Sequence, residues 1–72
     1  MKLTKFGTVR CYKPRTGQGW ITPDDGTRDV RVYPVAVNDA GLGQLAIGQT
    51  VGFTVSGRRP HAVDLWATWS NR

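Results

Sequence analysis

Residues 17–33, GQGWITPDDGTRDVRVY, place two short strand patterns either side of one strong turn signal, and that combination restricts the segment to an antiparallel hairpin. Trp20, Ile21 and Thr22 form the first strand. In Pro23-Asp24-Asp25-Gly26, Pro fixes φ, Asp bonds its own backbone, and Gly is free to take φ > 0. Residues 29–33 return, and their alternation puts Val30 and Val32 on one face and Asp29, Arg31 and Tyr33 on the other. The valines face inward with Ile21, which leaves Gln18 and Trp20 outside, beside Arg31 and Tyr33. Such a patch is either an ordinary half-wet sheet with scattered amphipathic side chains or a surface on which flat, anionic ligands stack. The charge balance favours the second.

Ten Lys plus Arg oppose five acids, all Asp, for a net charge of +5 in 72 residues. A basic balance suits a polyanion but is also common without one, so placement matters more than the sum. Arg10, Lys13, Arg15, Arg28 and Arg31 cluster around the hairpin, whereas Asp24 and Asp25 have a local turn role. The chain is one small domain, residues 1–72, below the length at which a core alone is comfortably stabilising, and a closed barrel suits it. Short apolar runs between Gly and Pro, with no long 3.6-period stretch, make the class all-β.

The single cysteine, Cys11, excludes an internal disulfide, and with one His it cannot complete a structural zinc site, so no metal and no cofactor are expected. No apolar run is long enough for a membrane helix and the start MKLTKFGTV lacks a signal-peptide core. The chain is expected to be used whole, in the cytoplasm, as a monomer.

Residues 5–12 read as the opening strand, with Val9 inward and Arg10 outward. Strict alternation would bury Cys11 with Val9 and a bulge would turn it out; burial as a small hydrophobe is the expectation. Residues 13–17 form a loop with two cations, Lys13 and Arg15, and residues 35–37 a short helical turn. Leu42, Leu45 and Ile47 are expected to close an end of the barrel. Val51, Phe53 and Val55 share one parity in a fourth strand over residues 50–56. A basic loop with Arg58 and Arg59 leads to a fifth strand over residues 61–68, with Ala62, Val63 and Leu65 as core candidates. Trp66 is placed over a barrel edge and Trp69 near a fraying end.

With five strands in order, the chain strongly resembles the bacterial cold-shock domain. GTVRCY, ITPDDG, DVRV, the Ala36-Val37 pair and LAIGQTVGFTV fall in that family's order and spacing, although the loop before Pro60 is about two residues short. The resemblance implies a five-stranded antiparallel OB-fold barrel that binds single-stranded RNA and DNA on aromatic side chains. It also implies a thinned platform. Gln18 and Arg31 stand where Phe is usual, Tyr33 where His is usual, Cys11 at a family Trp and Pro34 at a family Phe, and Leu42 where a further aromatic is common, while Trp20 keeps an aromatic.

The favoured function is therefore a single-strand nucleic-acid binder, an RNA chaperone or expression regulator, with Tyr12, Gln18, Trp20, Arg31 and Tyr33 as its contact face. Arg10, Lys13, Arg15, Arg58 and Arg59 supply phosphate contacts, the last two by analogy with the family's basic final loop. Binding is expected to lean less on stacking and more on charge. The alternative is a module whose altered face meets a protein partner. An enzyme is not expected: Cys11, His61 and Asp64 match no local catalytic signature, and the fold would have to bring them together.

Overall fold

The computed structural model describes residues 3–57 and 60–67, so Arg58, Arg59, Thr68 and Trp69 lie outside the described residues. Strands β1 (Leu3–Lys13), β2 (Gln18–Pro23), β3 (Val30–Val32), β4 (Thr50–Ser56) and β5 (His61–Ala67) and the short helix α1 (Pro34–Asp39) follow in the order β1-β2-β3-α1-β4-β5. The strands close into a barrel with neighbours β1-β2-β3-β5-β4. Four seams are antiparallel and the fifth, β3 to β5, is parallel through the pair Arg31 and His61. The expectation of an antiparallel barrel holds for all but that seam. A ring of five strands cannot alternate direction all the way round, so one parallel seam is a consequence of closure.

The alternation read from the sequence fixes the core. Val9, Ile21, Val30, Val32, Val51 and Phe53 are buried, Phe53 completely, and Val37, Leu45, Ala62 and Leu65 join them. Pro34 opens α1 at a position where its missing N–H costs nothing. Ala36 and Val37 then turn inward and, with a half-buried Leu42 and buried Leu45, cap one end of the barrel.

Ile47 does not join them and is 71% exposed. Gln49 N–H bonds to Ala46 O at 3.0 Å and Gly48 takes φ 89°, which makes residues 46–49 a tight turn with Ile47 at its tip. Val63 also departs from its core placement and is half-buried, because the β4–β5 register slips between Thr54 and Val55 and leaves Val63 as the extra residue.

On the outer face of β1, β4 and β5, Gly52 lies between Phe6 and Trp66 across the ladders. Trp66 lies over Gly52, where a Cβ would run into the indole, and meets Phe6 edge-on at 6.2 Å and 90°. The indole therefore covers the outer face of the sheet over β4, not an edge of the closed barrel, and glycine is what permits it.

Candidate nucleic-acid interface

Interruption of one ladder decides what faces the solvent beside the hairpin. Val9 pairs with Ile21 and Cys11 with Trp20, so Arg10 is an extra residue in β1 and the alternation changes phase there. Residues opposite one another in an antiparallel pair share a face. Val9 and Ile21 are thus inside, Cys11 and Trp20 outside, and Tyr12 and Gly19 inside. Burial of Cys11 is corrected on this ground: the thiol is only partly covered and lines the outer cleft. Gly19 is needed where it stands, because a Cβ would strike the Cys11 carbonyl and the Tyr12 ring.

The same phase change moves Tyr12 off the contact face. Its ring packs partly against the core and lines a neighbouring groove of about 500 Å³ with Arg15, Pro34 and the exposed Val35. Tyr12 and Arg15 are therefore not brought together with Trp20 and Arg31. Gly17, at φ 74°, closes the β1–β2 turn by donating to Lys13 O at 2.8 Å, and that turn forms one wall of the groove.

Arg10, Cys11, Lys13, Gln18, Gly19, Trp20 and Arg31 line an open cleft of about 510 Å³. Trp20 and Arg31 are direct cross-strand partners, and the guanidinium carbon of Arg31 lies 4.3 Å from the Trp20 ring centre and 5.8 Å from that of Tyr33. Both distances are within cation–π range. Tyr33, just past β3 in extended backbone, meets the His61 ring edge-on at 5.8 Å and 69°. The result is a continuous array, Trp20, Arg31, Tyr33 and His61, across β2, β3 and the start of β5. His61 was not among the predicted contacts; its place follows from the parallel seam, which sequence alternation does not reveal.

Arg10 is not a free cation. Its Nη1 donates to Asp29 Oδ2 at 2.7 Å, an ion pair that joins β1 to the residue just before β3 and offsets the charge Arg10 offers a phosphate. Alternation puts Asp29 on the outer face, and its pairing with Arg10 follows once β1, β2 and β3 lie side by side in the sheet. Asp25 is held in the turn: its Oδ1 accepts from the Thr27 hydroxyl at 2.6 Å and the Thr27 N–H at 3.0 Å, and Lys5 Nζ lies 3.0 Å from Oδ2. The Thr27 hydroxyl first, then the Thr27 N–H and Lys5, lower the carboxyl from 3.8 to about 2. Positive charge on this face thus concentrates at Lys13 and Arg31.

The residues weighed for catalysis are not assembled. Cys11 lines the outer cleft, Asp64 a separate hollow of about 160 Å³ with Asp39 and Trp66, and His61 packs on Tyr33. Among the described residues no cluster of His, Cys and Asp is placed to hold a metal ion, and no helix is long and apolar enough to cross a membrane.

Residues 5–68 match the 'Cold-shock' DNA-binding domain. The chain belongs to the cold-shock domain family. Its barrel is accordingly the OB-fold of a cold-shock domain. It is similar to the cold shock-like protein CspC of Shigella flexneri, with 40% identity over 63 residues covering 85% of this chain and 91% of that protein. Similarity to the cold shock protein CspA of Rhizobium meliloti is 43% over 49 residues, covering 68% of this chain and 71% of that one. Glycine-rich protein 2 of Nicotiana sylvestris is 40% identical over 62 residues, 82% of this chain but 29% of its own length. Within a cold-shock domain, the Trp20–Arg31 pair, the Cys11 position and the Arg10–Asp29 ion pair are the features of this chain that set its outer face.

Proposed function

We propose that this cold-shock domain binds single-stranded RNA or DNA across the outer face of β2 and β3, in the cytoplasm, as an RNA chaperone or regulator of expression. The observation that carries the reading is the array of Trp20, Arg31 and Tyr33 at the rim of a cationic cleft. Each base stacked on an aromatic contributes about 1–3 kcal/mol, and any base can use such a surface. A guanidinium stacks on a base as well as pairing with phosphate. Lys13 stands beside the array for the backbone, Arg15 beyond it in the neighbouring groove, and Arg58 and Arg59 are assigned the same role by analogy.

With Gln18, Arg31 and Cys11 in place of aromatic side chains, the balance moves from stacking to charge. Binding is weaker and more salt-sensitive than in a cold-shock domain whose face is mostly aromatic. The test is a titration of labelled heptathymidine and heptauridine at two salt concentrations, with a duplex alongside. The logarithm of affinity should fall with the logarithm of salt by about 0.7 per phosphate neutralised, and the duplex, whose bases are already stacked, should bind less well. Salt-independent affinity or preference for duplex contradicts the reading, and no binding to any oligonucleotide leaves the protein-partner reading in its place.

A further inference from the structure

Two guanidinium groups line the outer cleft, and the fold treats them differently. Arg10 is committed to Asp29 at 2.7 Å. The guanidinium of Arg31 makes no hydrogen bond or ion pair among the described residues. Its position is nonetheless defined: its backbone N–H donates to Pro60 O at 3.3 Å, β3 is paired on both sides, and its head lies against Trp20 and Tyr33. A guanidinium restrained by two rings loses less rotamer freedom on binding than one on a bare surface. Five N–H donors in a rigid fork are thus held at the cleft with no protein acceptor among the described residues.

From this we propose that the cleft selects guanine, with Arg31 reading the O6 and N7 edge of one base of a bound single strand. The proposal rests on the single-strand reading and adds base selectivity to it. Guanine presents two adjacent acceptors on that edge, which match the Arg fork bidentately. Adenine places its N6 donors beside N7, against the fork, and thymine offers a single O4 next to a methyl group. In a single strand these edges are open to side chains. Arg31 lies over the Trp20 ring at 4.3 Å, so a base stacked at this point has the guanidinium fork beside it. A site that would otherwise be a sequence-tolerant stacking surface thereby becomes one that discriminates by hydrogen bonds.

The experiment compares four labelled heptamers by fluorescence anisotropy: heptathymidine, and the same strand with guanine, 7-deazaguanine or cytosine at its centre. Each is titrated with the parent chain and with Arg31→Lys, which keeps the charge and removes the fork. Bidentate readout predicts that the guanine strand binds the parent about tenfold more tightly than heptathymidine. Most of that gain should vanish with 7-deazaguanine, which carries C–H in place of N7, and the guanine preference should disappear in Arg31→Lys. Equal binding of guanine and 7-deazaguanine, or a cytosine strand that binds more tightly than the guanine one, overturns the assignment. Heptathymidine binding with no gain from guanine refutes selectivity and leaves the single-strand reading standing, whereas failure of all four strands to bind refutes both. The parent series alone decides the question should Arg31→Lys fail to fold.

Discussion

Replacing Cys11 by Trp tests the phase change in β1 and its functional consequence together. Cys11 and Trp20 are cross-strand partners on the outer face, and the cleft beside them is open to solvent. An indole at position 11 would have room to lie outward and would add a stacking surface next to the existing one. A further stacked base contributes about 1–3 kcal/mol. The low end applies, because the Arg31 guanidinium already lies on the neighbouring indole. About 1–1.5 kcal/mol corresponds to roughly five- to twelvefold tighter binding of heptathymidine. The assay is an anisotropy titration with stability followed by urea unfolding, and an outward residue should shift stability by no more than about 0.5 kcal/mol. Were Cys11 inward, as uninterrupted alternation requires, the indole would overpack the core and cost about 1–3 kcal/mol or more. Marked destabilisation therefore refutes the bulge, and unchanged affinity in a stable variant refutes stacking on this face.

The core and the turn give two further tests. Phe53→Ala removes a completely buried ring and should destabilise by about 3–5 kcal/mol. At the usual stability per residue a chain of this length has about 4–11 kcal/mol in all, so urea unfolding should show a barrel close to its limit; a loss below about 1 kcal/mol contradicts the packing. Asp25, at about 2, lies below its ordinary carboxyl value, so its contribution to stability is complete above about pH 4 and is lost as pH falls through about 2. A carboxyl-carbon NMR titration should place its midpoint there, and Thr27→Val should raise it; a midpoint at the ordinary value in the parent refutes the turn geometry.

Much of this was legible in the sequence because a strand with one buried face announces its register. Val30 and Val32 lie in the uninterrupted β2–β3 ladder and Val51 and Phe53 in the uninterrupted β1–β4 ladder, and alternation placed them correctly. It failed where a ladder takes an extra residue. Arg10 in β1 reverses the facing of Cys11 and Tyr12, and Val63 is left over in β5, and neither position carries a local mark of a bulge. Ile47 misled because hydrophobicity argues for burial while the Gly48 turn that exposes it depends on backbone hydrogen bonds. The approach of Trp20 to Arg31 could be read within the hairpin, since both fall on its outer face. Contacts between segments distant in the chain have no signature in either segment alone: Arg10 with Asp29 depends on β1, β2 and β3 lying side by side, and Tyr33 with His61 on the β3–β5 seam.

The central claim, that single strands stack on the outer face of β2 and β3, is tested most directly by titrating heptathymidine into Trp20→Ala beside the parent chain. Trp20 projects outward next to the buried Ile21, so its removal should leave the barrel folded. The account predicts affinity lower by about 1–3 kcal/mol, roughly five- to 150-fold, with an unchanged circular dichroism spectrum. A folded Trp20→Ala variant that binds heptathymidine as tightly as the parent would contradict it.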